Sequence, residues 1–424
     1  MTAPPARLLA RLRPPVRRKR PGPVGDVPGR GLLWRQLPAY SPLTWRAAWR
    51  GAARGLSRRD DPRPRVRRLI RALYRGEHAL LVGSGTQALE LAIRAAAAGG
   101  PCVVALPAYS CYDVAAAAVG AGVRIALYDV DPATLAPDLD SVTATLAAGA
   151  RIVVVAPLCG VPVDWEAIEH CVAGFGALAV EDAAQGHGAE WRGAPLGSLG
   201  RLSVLSFGRG KGWTAGRGGA LVTRGGLHTP DGAYVAPAGT GVELAITAAA
   251  LVQWALGRPG RYGLAAAIPG LHLGETRYRD PEAPRAMSRA AACLLERTLP
   301  LAAREASVRR ANAAALLASV PAGVRVRAVT APRDGTPGFL RLPLRLSRGI
   351  AGFADARLAL RCGVAPGYPT TLAALAPVRE GMTRAPGRWP GAEDLARQLV
   401  TLPTHSLVSD GERDALVRLL ESYQ

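Results

Sequence analysis

The chain has 424 residues, enough for two or three ordinary domains. Charged residues make up 20% of it and hydrophobic residues 49%, which excludes a wholly disordered protein. The formal net charge of +21 would ordinarily suggest a nucleic acid or an anionic membrane as partner. Residues 1–75, however, carry a net charge of +17. The excess therefore belongs to an N-terminal extension, and the rest of the chain is nearly balanced.

Lysine is almost absent from this chain. Of the 53 basic residues, only Lys19 and Lys211 are lysines. Because arginine serves wherever charge alone is needed, a lysine retained in the body of the chain suggests chemistry that an always-protonated guanidinium cannot perform.

The six cysteines form no CxxC pair, and no histidines cluster with them at metal-ligand spacing. We therefore expect reduced thiols, no metal site and a cytoplasmic protein. The N-terminus lacks the long apolar stretch of a secretory signal. The longest apolar run, residues 244–256, is too short to cross a bilayer.

Residues 1–64 are predicted to be a basic extension with one amphipathic helix over residues 41–56. Apolar residues recur there near helical spacing, with arginines between them: Leu43, Trp45, Ala48, Trp49 and Ala52. One interpretation is a helix packed on the body through this stripe; the other is a helix that binds a membrane surface or a partner.

From residue 65, short apolar runs alternate with alanine-rich stretches. The apolar runs predict buried strands at residues 103–106, 123–127, 152–156, 178–180, 204–207 and 220–223. The alanine-rich stretches predict helices at residues 86–98, 112–119 and 165–173. This alternation predicts an α/β fold, a mainly parallel sheet with helices on both faces.

The second half of the chain has a different pattern. An atypical insertion at residues 225–282 combines glycine, proline and an apolar helix, and a long helix is predicted at 287–317. Strands near residues 324–329 and 339–344, with two short helices, predict a small α+β domain. The sequence therefore predicts three parts. Residues 1–64 are the extension, residues 65–285 are the large domain with the insertion, and residues 286–424 are the long helix and the small C-terminal domain.

Three segments at strand ends carry the candidate chemistry, and the first is GSGTQAL at residues 83–89. Two glycines and two hydroxyl residues lead directly into a predicted helix. Backbone N–H groups at a helix start suit a phosphate, although the same turn could simply cap the helix.

The second segment, AVEDAAQGHGA at residues 179–189, ends a strand in two carboxylates. Glu181 and Asp182 should point to opposite faces, so that one is buried beneath a ligand and the other is solvated. A buried carboxylate needs a cationic partner, for which a protonated heterocyclic nitrogen would serve. The alternative is a helix cap formed by Asp182.

The third segment, at residues 204–223, places Lys211 on a glycine-rich loop after a strand. A lysine in that position can be desolvated and act as an amine nucleophile. The alternative is a solvated lysine, which this lysine-poor chain disfavours.

Together, a phosphate cradle, a carboxylate for a ring nitrogen and a nucleophilic amine are what pyridoxal phosphate requires. From about residue 65 to the C-terminus the sequence resembles the DegT/StrS sugar aminotransferases, a family of fold-type-I pyridoxal-phosphate enzymes. The resemblance implies a large domain whose mainly parallel seven-stranded sheet lies between helices, followed by a smaller C-terminal α+β domain.

The resemblance also implies residue roles. Lys211 would hold the cofactor covalently and move the substrate proton, and Asp182 would pair with the pyridinium nitrogen. Ala184 would lie against the ring, and Gln185 would hydrogen-bond its phenolic oxygen. The phosphate would be bound by three further residues: Gly85, Thr86 and Ser206.

An aromatic residue stacks on the other face of the ring in this family. The position that aligns with it here is Cys111, and we expect the neighbouring Tyr112 to stack, with Tyr109 as the alternative.

The family segment Asn-x-Arg-Met, whose asparagine reaches a neighbouring subunit's cofactor, is incomplete. The stretch EAPRAMSRAAA at residues 282–292 keeps Arg285 and Met287 but lacks the asparagine. Arg277 and Tyr278 are candidates to replace its contacts.

The resemblance predicts a homodimeric pyridoxal-phosphate aminotransferase. Glutamate or glutamine would donate the amino group to a ketone on a nucleotide-linked or other modified sugar, in polysaccharide or secondary-metabolite biosynthesis. A non-sugar ketone remains open, as does a dehydratase of the same fold, although dehydratases usually carry histidine at the lysine position.

An alternative of another class is a basic protein that binds a membrane surface or nucleic acid. With 5% aromatic residues and few of them in the basic arm, we expect no specific nucleic acid but weak anionic-membrane contact through the arm. For His187 and His405 we expect local structural roles.

Overall fold

A computed structural model describes residues 34–56, 60–98, 100–227, 235–266, 268, 276–320, 323, 325–383 and 387–424. Three predictions lie outside the described residues: those for the basic arm before residue 34, for Lys19 within it, and for residues 271–275 of the insertion.

The elements alternate along the first half of the chain as the sequence pattern predicts. The strands are β1 (His78–Val82), β2 (Val103–Pro107), β3 (Arg124–Tyr128), β4 (Ile152–Val155), β5 (Leu178–Asp182), β6 (Glu190–Trp191), β7 (Ala194–Pro195), β8 (Leu202–Ser206), β9 (Gly219–Thr223), β10 (Val326–Ala328), β11 (Gly335–Thr336), β12 (Leu342–Leu346), β13 (Ala365–Pro366) and β14 (Leu399–Leu402). The helices are α1 (Trp45–Leu56), α2 (Arg63–Leu73), α3 (Gly85–Ala96), α4 (Tyr112–Ala121), α5 (Leu139–Ala147), α6 (Trp165–Ala173), α7 (Thr240–Leu256), α8 (Pro259–Ala266), α9 (Arg289–Leu317), α10 (Ala356–Arg361), α11 (Ala376–Gly381), α12 (Pro390–Gln398) and α13 (Asp410–Glu421).

Seven strands form the central sheet, in the order β1-β9-β8-β5-β4-β2-β3. Each adjacent pair of strands from β8 to β3 is parallel, whereas β9 is antiparallel to both of its neighbours, β1 and β8. The predicted α/β fold with a mainly parallel seven-stranded sheet is therefore confirmed. Parallel strands are buried on both faces, which is why β4 (sequence IVVV) is apolar and buried at every position. The sequence analysis gave bounds for six of these strands; for β1 it implied only that a strand ends before residue 83.

A second, four-stranded sheet has the order β10-β12-β14-β13 and its own apolar cluster, which includes Leu342, Val400 and Leu419. The predicted long helix is observed as α9, and Ser288 caps it by accepting a hydrogen bond from the backbone N–H of Ala291 at 3.0 Å. The domain boundaries given above stay predictions.

The predicted amphipathic helix is observed as α1, but its packed face differs from the predicted stripe. Ala47, Ala48 and Gly51 are buried, whereas Trp45 and Trp49 are 55% and 60% exposed. The helix packs on the body, as the first interpretation expects, but the two tryptophans of the stripe lie outside the packed face. The helix packs closely on α9 through small residues: a Cβ at Gly51 would lie 2.7 Å from Cγ of Leu294.

The insertion contains α7 and α8. In the part of the chain that the structure describes, no single helix is long and apolar enough to cross a membrane; α7 and α8 pass that test only together, and the chain bends by 113° between them. All six cysteines are free thiols. The described residues contain no cluster of three or more histidine, cysteine or acidic side chains that could hold a metal ion.

Candidate active site

The loop that follows β8 holds Lys211 against the body of the protein. Its backbone N–H bonds to Gly208 O at 3.3 Å, and its carbonyl accepts a hydrogen bond from the Ser41 hydroxyl at 2.7 Å. Two residues further on, Trp213 is fully buried and donates its indole N–H to Leu295 O at 3.0 Å. The lysine is half-buried as a result, not freely solvated.

Asp182 ends β5, which pairs directly with β8, and it lines the same pocket as Lys211. One carboxylate oxygen accepts a hydrogen bond from the backbone N–H of Ala184 at 3.0 Å. Burial raises the pKa of Asp182, and the neighbouring Lys211 charge and the Ala184 N–H oppose the rise. A carboxyl in this environment stays ionised most readily when a cation lies against it.

The neighbouring carboxylate, Glu181, is fully buried, so the expectation that one member of the pair is solvated is wrong. Its oxygens accept hydrogen bonds from backbone N–H groups at residues 197, 199 and 200 and from the Ser203 hydroxyl. The loop before β8 folds over the end of the side chain and satisfies it. Glu181 is therefore structural, and Asp182 alone faces the pocket.

The start of α3 meets the end of β8 at the opposite wall of the pocket. Ser84 caps the helix by accepting a hydrogen bond from Gln87 N at 3.2 Å, which leaves the first N–H groups, at Gly85 and Thr86, at the pocket wall. A Cβ at Gly85 would lie 2.6 Å from Cβ and 2.8 Å from Oγ of Ser206. Glycine is therefore required for this close approach. The three predicted phosphate-binding residues lie together here.

Gln185 bridges the pocket to a distant segment of the chain. Its side-chain oxygen accepts a hydrogen bond from Cys159 N at 2.9 Å, and its amide nitrogen donates to the Tyr368 hydroxyl at 3.1 Å. The backbone N–H of Tyr368 in turn donates to the Tyr109 hydroxyl at 2.7 Å. The sequence analysis assigned no site role to Tyr368, because nothing in the local sequence brings residue 368 to Gln185.

The predicted stacking residue, Tyr112, lies in a wider cleft beside the pocket. Its hydroxyl contacts Thr370 Oγ1 at 2.6 Å, and its ring centroid is 6.3 Å from that of Tyr368. Cys111 lines both the pocket and the cleft, and the Ser110 hydroxyl is buried without a hydrogen-bond partner. The role of Tyr112 stays a prediction.

The wider cleft has a volume of about 810 Å³ and opens onto Lys211 and Gln185. Four arginines from three segments line it, against one carboxylate, Asp113: Arg209, Arg277, Arg279 and Arg341. The cleft therefore suits an anionic molecule. Arg277 lines this cleft, and its proposed replacement of the missing asparagine stays a prediction.

The two histidines are buried beneath this region, outside the pocket. His187 Nδ1 lies 3.0 Å from the Tyr74 hydroxyl, and burial lowers its pKa to about 3. His405 Nε2 lies 2.8 Å from Leu37 O, and burial lowers its pKa to about 4. Both are neutral at ordinary pH, which fits the structural roles expected of them.

Solved structures with the same fold are sugar aminotransferases and related enzymes. CalS13 from Micromonospora echinospora matches with a TM-score of 0.69 at 23% identity, covering 91% of this chain and 98% of that one. A 3-amino-5-hydroxybenzoic acid synthase matches with a TM-score of 0.68 at 22% identity, covering 92% and 99%. The chain therefore has the fold of the pyridoxal-phosphate-dependent sugar aminotransferases.

Residues 65–229, which include every predicted cofactor-binding residue, match the model of the DegT/DnrJ/EryC1/StrS aminotransferase family. A 3-amino-5-hydroxybenzoate synthase from Amycolatopsis mediterranei is 36% identical over 145 residues, 34% of this chain and 37% of that protein. An L-glutamine:2-deoxy-scyllo-inosose aminotransferase from Streptomyces kanamyceticus is 33% identical over 150 residues, 35% of each chain. The matching segments span little more than a third of these relatives.

Proposed function

We propose that the protein is a pyridoxal-phosphate-dependent aminotransferase. The observation that carries this proposal is the placement of Lys211 and Asp182 around one pocket, at the ends of two adjacent parallel strands. In a chain with only two lysines, an amine beside a buried carboxylate is a specific arrangement.

The residues present fit the cofactor. At the start of α3, where Gly85 lies close to Ser206, backbone N–H groups and the Ser206 hydroxyl are available to bind a phosphate. The buried carboxyl of Asp182 suits a protonated ring nitrogen. The Ser110 hydroxyl, which has no partner among the described residues, is a further donor in the pocket wall. The pocket has a volume of only about 40 Å³, but it continues into the wider cleft through five shared lining residues.

When bound, pyridoxal phosphate supplies an electron sink that stabilises negative charge on the substrate carbon. The chain's own residues would hold and orient it. Asp182 would keep the ring nitrogen protonated, Gln185 would donate a hydrogen bond to the ring oxygen, and Ala184 would lie against the ring. The Nζ atom of Lys211 would accept and return the substrate proton.

The donor that we propose is glutamine or glutamate, since several of the relatives are named as glutamine-dependent. The acceptor that we propose is a ketone on a sugar or on another six-membered ring, in polysaccharide or secondary-metabolite biosynthesis. The arginines of the cleft would attract the carboxylate of the donor and any acidic group on the acceptor. A non-sugar ketone stays open because the family asparagine is missing.

We further propose that the enzyme acts as a homodimer in the cytoplasm. A site shared between subunits is implied by the resemblance to the family, and the missing asparagine leaves the identity of the partner's contribution open. Sedimentation of the holoenzyme would show the dimer.

The decisive experiment compares Lys211→Ala and Lys211→Arg with the unmodified chain. The wild-type protein should absorb near the visible edge with added pyridoxal phosphate, and glutamine should change that spectrum. Both variants should lose the absorbance and the turnover. Alanine has no amine, and arginine keeps the positive charge but is not a nucleophile near neutral pH. The matched control Arg327→Lys, at an exposed position of β10 that lines neither the pocket nor the cleft, should keep both. A wild-type protein that stays colourless with the cofactor contradicts the proposal.

A further inference from the structure

Helix α7 presents an apolar face to solvent. Leu244 and Val252 are 52% and 50% exposed, and the alanines at positions 245, 248 and 249 are exposed between them. The spacing places all five on one stripe of the helix. The only charged residue of α7 is Glu243, which is buried and accepts hydrogen bonds from the first N–H groups of α9. Soluble monomers seldom leave such a face uncovered.

Helix α1 packs beside α7 on α9 and adds the two exposed tryptophans. Trp45 and Trp49 lie one turn apart, and Arg46 and Arg50 are exposed beside them. Tryptophan with arginine on a helix that lies on a protein surface is typical of segments that bind the interface of a bilayer.

A basic groove of about 520 Å³ adjoins α1. Arginines from three helices line it, with a single carboxylate, Glu296: Arg46, Arg50, Arg65 and Arg297. Glu296 pairs with Arg65 at 3.5 Å, and the Nε atom of Arg297 is buried without a hydrogen-bond partner. The groove therefore has positive charge in excess, which suits phosphate groups.

We propose that α1 and α7, with the groove between α1 and α9, form a docking surface for an anionic phospholipid bilayer. Trp45, Trp49 and the apolar stripe of α7 enter the headgroup region, and the arginines bind lipid phosphates. The N-terminal extension, whose residues up to 75 carry a net +17, strengthens the attraction. This surface adjoins the candidate active site, because Val252 of the stripe also lines the wider cleft, but the proposal does not rest on the proposed function.

Charge decides between a bilayer and a second copy of the chain as the occupant. A two-fold contact through this surface would bring together two copies of a surface whose groove carries excess positive charge, with no anionic group besides Glu296 among its lining residues to offset it. An anionic bilayer instead complements both the arginines and the apolar stripe.

The experiment is co-sedimentation of the full-length protein with phosphatidylcholine vesicles, with and without phosphatidylglycerol. Binding should require phosphatidylglycerol and should fall as salt shortens the Debye length from about 10 Å at 0.1 M to about 3 Å at 1 M. Arg46→Glu with Arg50→Glu should lower the affinity at least about 25-fold, since each basic residue at an anionic surface contributes about fivefold. Trp45→Ser with Trp49→Ser, and Leu244→Asp, should also weaken binding.

Matched controls carry the same changes on other surfaces. Arg327→Glu with Arg357→Glu alters the net charge equally, and Phe175→Ser removes an exposed apolar side chain. Both should bind like the wild type, and the oligomeric state should be the same in every variant.

Three results would overturn the proposal. The first is a wild-type protein that stays in the supernatant with anionic vesicles at low salt. The second is a change of oligomeric state in the tryptophan or Leu244 variants with vesicle binding intact, which would make the surface a contact between copies. The third is equal loss of vesicle binding in the control double variant, which would leave only unspecific attraction to the basic chain.

Discussion

Replacing Gly85 by alanine should damage the cofactor site through a steric contact. The new Cβ would lie 2.6 Å from Cβ of Ser206, whereas carbon atoms in contact lie about 3.5–4.0 Å apart, so the helix start or the strand end must move by about 1 Å. Cβ of Ser206 cannot rotate away, because it is fixed to the backbone. Overpacking of this kind costs about 1–3 kcal/mol of unfolding free energy.

The same displacement moves the N–H groups of α3 away from the phosphate position. Loss of one hydrogen bond to a charged group costs about 1.5–3 kcal/mol, so the affinity for pyridoxal phosphate should fall at least about tenfold. Urea denaturation of the cofactor-free protein measures the first effect, and an absorbance titration with pyridoxal phosphate measures the second.

A double variant separates steric strain from lost chemistry. Adding Ser206→Gly to Gly85→Ala removes the clashing atoms, so most of the stability should return. Cofactor affinity should stay low, because the Ser206 hydroxyl is gone. The control Gly241→Ala places a Cβ with no neighbour within 4 Å and should leave both properties intact, with at most about 1 kcal/mol of added stability. If Gly85→Ala is as stable as the wild type and binds the cofactor equally well, the steric argument is wrong.

Two further predictions concern buried titratable groups. In the folded state the pKa of His187 is about 3 and that of His405 is about 4, both below the unfolded value of 6.5. As the pH falls below 6.5, protons therefore bind to the unfolded chain first, and the free energy of unfolding decreases. Between pH 7.5 and 5.5 each histidine should lower the free energy of unfolding by about 1 kcal/mol. His187→Asn should remove about half of the pH dependence that the two histidines cause, as measured by urea denaturation at each pH. Burial raises the pKa of Asp182, so the folded protein loses stability as the pH rises and this carboxyl ionises. Asp182→Asn should therefore raise the melting temperature of the cofactor-free protein at pH 7.5 and abolish turnover. A lower melting temperature would contradict this reasoning.

The candidate site was predictable to the extent that its residues lie at strand ends. Lys211 follows β8 and Asp182 ends β5, and the carboxyl ends of neighbouring parallel strands meet at one edge of a sheet. The glycine-rich start of α3 opens on the same edge. Local sequence therefore identifies both the candidate chemistry and the place where it converges.

Contacts made by distant segments could not be predicted in this way. Tyr368 reaches Gln185 from 183 positions along the chain, and Arg341 lines the same cleft. No short-range pattern encodes the packing of the small domain on the large one. For the same reason, the sequence pattern could not show that a loop would fold over Glu181 and bury it.

Composition and periodicity by themselves determined the α/β fold, the lysine that is the candidate nucleophile and the concentration of positive charge in the N-terminal extension. Tertiary structure alone decided which face of each helix is covered: α1 packs through alanine and glycine, and its tryptophans are left outside. The reason is that periodicity reports that a helix has an apolar side, whereas only the shape of the neighbouring surface determines which side chains it can accommodate.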